Sequence, residues 1–206
     1  MKYKLIEIEK NDNGFITRNL ERFNQKNLRL KASNNEEADL NLLRFLVDYI
    51  IEENIILKED ATITYGLWSL KLFSDKELLS IHELNADFSD WVTGAKNATY
   101  YLELQRIVCK EIGVKSMLPN LNQKIAVDNG TLGGEEVQGI RYDAPPHMSG
   151  WYITSDSYNG DINSLNVIDL FSFVPRRRDL IQFLALPVGY SFEVKNGNYD
   201  AWAINL

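Results

Sequence analysis

Most of this chain is written in short runs where apolar and polar residues alternate, each closed by turn-forming residues. Alternation sends successive side chains to opposite faces, so such runs specify half-buried strands. Lys4 to Glu9 is the first run, and Phe15 to Thr17 returns after Asn11-Asp12-Asn13-Gly14. Asn-Gly favours the positive φ angles of a tight hairpin. Ile63, Tyr65 and Leu67 alternate, then the phase slips to Trp68, Leu70 and Leu72. Gly66 beside that slip predicts a β-bulge. Ser74-Asp75-Lys76 turns the chain into Leu78 to Leu84, which predicts a long antiparallel hairpin, and Phe88 to Val92 adds a third strand. Asn19 to Lys31 is polar and has no clear period.

Only two long stripes have helical spacing. Leu40, Leu43, Val47 and Ile50, joined by Leu46 and Ile51, form the first. Ser33 stands where an N-cap belongs, with Glu36 at the capping-box position. Tyr101, Leu104, Val108 and Ile112 form the second stripe, within Ala98 to Ile112, and Gly113 stops it. Val114 to Gln123, with Pro119, has the composition of a linker, which places domains at residues 1–115 and 121–206.

Beyond the linker, Ile125 to Asp128 and Glu136 to Tyr142 are expected as a hairpin across Gly133-Gly134. Trp151 to Thr154 and Val167 to Val174 are further strands, separated by the polar loop Ser155 to Asn166. Pro175 opens a short helix to about Leu184. Tyr190 to Lys195 and Tyr199 to Ile204 pair around Asn196-Gly197-Asn198. The expected class is α+β. Antiparallel sheets carry two main helices in the N-terminal half and a short helix in the C-terminal half. There is no regular βαβ alternation.

The chain is 45% hydrophobic and 25% charged, which suits a globular protein with a real core. Its net charge of −7 repels nucleic acid and anionic membrane and favours basic partners. A single cysteine, Cys109, forbids an internal disulfide. The N-terminus lacks the apolar core of a signal peptide, and no window approaches ~18 consecutive apolar residues, so a cytoplasmic location is expected.

The residues that could do chemistry are sparse. His82, His147 and Cys109 have no metal-ligand spacing, and no metal or other cofactor is expected. His147 stands two residues from Ser149, without a Gly-x-Ser-x-Gly elbow. That turn is the basis of an alternative reading as a hydrolase. A small-ligand-binding regulatory module is a further alternative. Arg176-Arg177-Arg178 is the one basic cluster, read as a solvated run at a helix start.

Two elements together carry a family likeness. Ser149-Gly150-Trp151 leads into Tyr152-Ile153-Thr154-Ser155-Asp156, and Leu184-Ala185-Leu186-Pro187-Val188-Gly189 leads into Tyr190-Ser191-Phe192-Glu193. From about residue 125 to 204 the chain resembles the immunity protein 33-like domain, also called domain of unknown function 2185. The resemblance implies a non-catalytic bacterial protein that binds a cognate polymorphic toxin and neutralises it. The partner would be that toxin, of basic charge if it is a nuclease. Neither nucleic acid nor membrane would be bound, and the oligomeric state is open. Aromatic and acidic side chains would carry such an interface. The candidates are Trp151, Tyr152, Asp156, Tyr158, Asp161, Tyr199 and Trp202.

Overall fold

The alternation of the first eighteen residues becomes a hairpin in the computed structural model, which describes residues 1–204. The last two residues of the expected 121–206 domain lie outside the described residues. The chain divides into two units, Met1–Leu102 and Glu103–Leu206.

In the first unit β1 (Lys2–Tyr3), β2 (Ile6–Asn11) and β3 (Gly14–Arg18) run in succession. The stretch from Asn19 to Lys31 resolves into a 3₁₀ turn, Leu20–Phe23, and β4 (Asn27–Lys31). Left-handed Asn19 and Asn24 bracket that turn. Then come α1 (Glu36–Glu52), β5 (Thr62–Tyr65), β6 (Trp68–Asp75), β7 (Leu78–Leu84), β8 (Trp91–Thr93) and α2 (Lys96–Ile112). The sheet order is β1-β2-β3-β4-β7-β6-β5, with β8 on β7. Every pairing is antiparallel except β4 with β7.

Three local expectations change. The cap of α1 is Asn35, whose side chain accepts from the Ala38 N–H at 3.1 Å, in place of Ser33. Ser33 sits two residues too early, and its hydroxyl accepts from the Asn35 N–H instead. Gly66 is a hairpin tip and not a bulge: Tyr65 pairs with Trp68, leaving Gly66-Leu67 as a two-residue loop with Gly66 at φ +65°. That tip reverses the chain, which is why the alternation loses phase there. The buried face of α1 is Leu42, Leu43, Leu46, Val47 and Ile50, so the stripe is rotated slightly from the expected one.

The first turn of α2 is capped from a strand. Glu83 of β7, buried at 2% exposure, accepts from the Asn97 N–H at 2.9 Å and the Ala98 N–H at 2.8 Å. A carboxylate on these orphan donors also meets the positive end of the helix dipole.

The second unit takes the rest of α2, then β9 (Lys124–Val127), α3 (Asn129–Gly133), β10 (Val137–Arg141), β11 (Met148–Ser155), β12 (Asn166–Asp169), α4 (Leu170–Phe173), β13 (Tyr190–Lys195) and β14 (Asn198–Ala203). Its sheet order is β12-β9-β11-β10-β13-β14. The segment after α2 is bonded within this unit: the Met117 N–H donates to the Ala185 carbonyl at 2.7 Å. The expected hairpin of Ile125 to Tyr142 is not formed. β9 lies parallel to β11 and antiparallel to β12, while β10 pairs with β11 and β13. α3, capped by Asp128, carries the chain away between them. Val167 to Val174 is likewise not one strand, because it turns into α4 at Leu170. The helix expected from Pro175 is a 3₁₀ segment, Arg178–Phe183. The class is α+β with mostly antiparallel sheets, as the alternation implies.

Candidate functional site

The signature Ser149-Gly150-Trp151 opens β11 and fixes which face each following side chain takes. Gly150 has φ +81°, and a Cβ there would lie 2.2 Å from the Tyr142 carbonyl oxygen, so only glycine fits. The register of β11 against β9 shifts between Met148 and Tyr152. Trp151, Ile153 and Ser155 then point inward, and Tyr152 and Thr154 outward.

The inner face is a core. Trp151 is 0% exposed, donates its indole N–H to the Leu184 carbonyl at 3.1 Å, and packs 5.3 Å from the Phe192 ring. Phe192 stacks on Phe183 at 4.5 Å. Trp151 therefore supports the sheet and offers no surface to a partner, a correction to its place among the candidates. Tyr199 lies on this side too, against Phe183 at 5.1 Å, and its hydroxyl donates to Glu111 Oε2 at 3.1 Å. Its pKa is raised by burial and by that carboxylate.

The outer face assembles the remaining candidates. Strand register places Trp202, Ser191, Ile140, Tyr152, Ala126 and Val167 in one row across all six strands. Asp200, Glu193, Gln138 and Thr154 form the adjacent row. The loop after β11 folds beside this face. Ile140, Tyr142, Tyr152, Tyr158, Ile162 and Leu165 line a groove of about 480 Å³ there. The Tyr142 and Tyr152 rings meet edge to face, 5.4 Å apart. Tyr152 and Tyr158 thus come together as candidates, with Trp202 in the same row. Asp161 stands between groove residues Gly160 and Ile162, and its carboxylate accepts from the Asn163 N–H at 2.9 Å. Asp156 pairs with Lys195 at 3.2 Å, and this raises the lysine's pKa.

Several outward residues were not among the candidates: Ile140, Tyr142, Ile162, Val167, Glu193 and Asp200. The alternation of Gln138, Ile140 and Tyr142 carries the signal for that strand. Strand order, which no local pattern encodes, decides that Glu193 and Asp200 adjoin it.

A polar centre holds the loop that frames the groove. Asp128 accepts from the N–H groups of Thr131 and Ser155, both at 3.0 Å, and from the Ser155 hydroxyl at 2.6 Å. Burial opposes its charge, but the bonds from Ser155 and Thr131 prevail and hold its pKa below the ordinary carboxylate value. Arg177 is buried, in contrast to the solvated run expected. It pairs with Asp179 at 2.7 Å and donates to the Thr131 carbonyl at 2.6 Å, while Arg176 and Arg178 remain exposed.

The hydrolase turn is not assembled. His147 is exposed, whereas Ser149 is buried and donates its hydroxyl to the Lys124 carbonyl at 2.9 Å. Cys109 is buried and donates to the Ala185 carbonyl, and burial pushes its thiol pKa up. Among the described residues, no three His, Cys, Asp or Glu side chains are placed to hold a metal ion. No helix among them is long and apolar enough to cross a membrane.

No curated protein and no solved structure matches this chain. Residues 104–204, spanning the unit that carries the six-stranded sheet and the groove, match the family model of the Imm33-like domain.

Proposed function

We propose that this protein is a bacterial immunity protein that binds a cognate polymorphic toxin in the cytoplasm and blocks it without catalysing a reaction. The observation that carries this reading is the Imm33-like match over residues 104–204. The surface of the same unit supports it. A sheet with one face in the core and one in water presents a row of aromatic and aliphatic side chains beside carboxylates. Interfaces concentrate their energy in such aromatic anchors with a polar rim. Tyr152, Tyr158, Trp202, Asp156 and Asp161 are the contact residues we assign; Trp151 acts from beneath, and Tyr199, 47% exposed, lies on the opposite side of the sheet, against Phe183. The acidic balance steers a basic toxin toward the protein.

The test is co-expression with each toxin-like gene product encoded nearby. Growth should be rescued with one of them, and the pair should copurify. Absence of rescue with every such toxin overturns the reading.

A further inference from the structure

The outer face of the second sheet carries two opposed carboxylates that no direct ion pair holds among the described residues. Glu193 and Asp200 are directly opposite one another on β13 and β14. Like charges at directly opposed positions destabilise an antiparallel pair, so a chain selected for stability alone would avoid them. Neither carboxylate has an ion pair among the described residues. The basic residues that register and alternation place on this face are Lys195, held by Asp156, and Lys124, on β9 beyond Ala126.

The groove runs from Ile140 on β10, next to the strand of Glu193, to Tyr152 on β11 and the loop that follows it, two strands away. Neighbouring strands are spaced about 4.8 Å apart, so roughly 10 Å separates the β11 and β13 positions. The groove lining contains three tyrosines and no charged residue. An aromatic-walled cavity without its own cation attracts a guanidinium or ammonium group through the ring faces, while the aliphatic stem packs on Ile140 and Leu165.

We infer that this face takes a basic segment of the partner protein. One arginine or lysine side chain of that segment enters the groove of Tyr142, Tyr152 and Tyr158, and a neighbouring cation meets Glu193 and Asp200. The inference rests on the immunity reading and names the chemistry of the partner surface. Residues spaced two apart in an extended segment are about 7 Å apart, and three apart about 10 Å, so a short basic run spans both sites. The like-charged pair then gains a direct ion-pair partner, where in the free protein Lys195 attracts Glu193 only at longer range.

The test uses the full chain and a peptide of alternating glycine and arginine, with its citrulline counterpart as the neutral isostere. Two-dimensional NMR should show shifts at Tyr142, Tyr152, Tyr158, Glu193 and Asp200 with the arginine peptide. The citrulline peptide should bind at least about tenfold more weakly, since the cation supplies the attraction. Tyr152→Ala and, separately, Glu193→Gln should each weaken the arginine peptide severalfold, in proteins whose spectra remain those of the folded chain. Equal binding of both peptides overturns the inference, as do shifts confined to another surface or no binding at all. Growth rescue distinguishes the two readings. Rescue that survives loss of peptide binding sinks the cation site alone. Peptide binding without rescue by any toxin pair sinks the immunity function and leaves the site standing.

Discussion

Arg141 and Trp151 donate to the same acceptor, the Leu184 carbonyl, at 3.3 Å and 3.1 Å, and the guanidinium carbon lies 5.8 Å from the indole ring. They face each other across β10 and β11. Arg141 also donates to the carbonyls of Ser149 and Leu186, at 3.0 Å and 2.6 Å, and to that of Met117. It is 3% exposed and has no carboxylate partner among the described residues, and burial lowers its pKa to about 10. It is therefore still charged at neutral pH, and carbonyl dipoles solvate that charge. The arginine ties the segment after α2, the β11 signature and the Leu184–Leu186 turn into one unit. Lysine has the charge but not the planar fork of donors. Arg141→Lys should cost about 3 kcal/mol, read from the urea midpoint.

Gly150 should be the least replaceable glycine of the second unit. Gly150→Ala combines a left-handed φ with a clash on the Tyr142 carbonyl. Gly197, at φ +73°, has nothing within 4 Å of its would-be Cβ. Gly197→Ala should cost about 1 kcal/mol from backbone strain, and Gly150→Ala about 3 kcal/mol or more. Parallel denaturation curves of the two variants check the difference.

Two buried carboxylates should give pH dependences of opposite sign. Burial raises the pKa of Glu83 despite the N–H bonds of Asn97 and Ala98. Between the ordinary carboxylate value and that raised value the folded state holds more protons, so this residue makes stability fall as pH rises. Glu83→Gln should remove that fall. Asp128 is the reverse. Its pKa is lowered, so its contribution is present above the ordinary value and lost as pH falls through the folded one. Asp128→Asn should lower stability at neutral pH and converge with the parent in acid. Urea midpoints from about pH 3 to about pH 7 test both slopes.

Glu193→Lys should separate folding from recognition. Replacing one member of the Glu193–Asp200 pair makes an opposite-charge pair, which should stabilise the fold by about 0.5 kcal/mol. The same change should slow association with a basic partner about tenfold at low salt, with the difference shrinking as salt is added. Thermal melts and stopped-flow or surface binding rates read the two effects independently.

Much of the secondary structure was legible because alternation and helical spacing are local. The β2–β3 and β13–β14 hairpins, both long helices and the Gly113 stop of the second follow from residues adjacent in the chain. The expected Ile125–Tyr142 hairpin failed because local alternation says that a segment is a strand, not which strand it meets. The parallel pairs β4–β7 and β9–β11 join segments far apart in sequence. The Ser33 cap failed by two residues, within the range where several polar side chains compete for the same orphan N–H groups.

The candidate surface divides in the same way. Aromatic and acidic composition singled out Tyr152, Tyr158, Trp202, Asp156 and Asp161, but also Trp151, which the fold buries completely. Trp151 and Tyr152 are neighbours with similar chemistry, and a strand sends them to opposite faces. By itself the sequence determined the α+β class and the family likeness, because these depend on residue order and local pattern. The tertiary structure alone decided that Trp202, Ile140 and Tyr152 share a row and that Glu193 faces Asp200. Strand order and register are set by which apolar faces bury together across the whole unit, and that free energy belongs to no single stretch of chain.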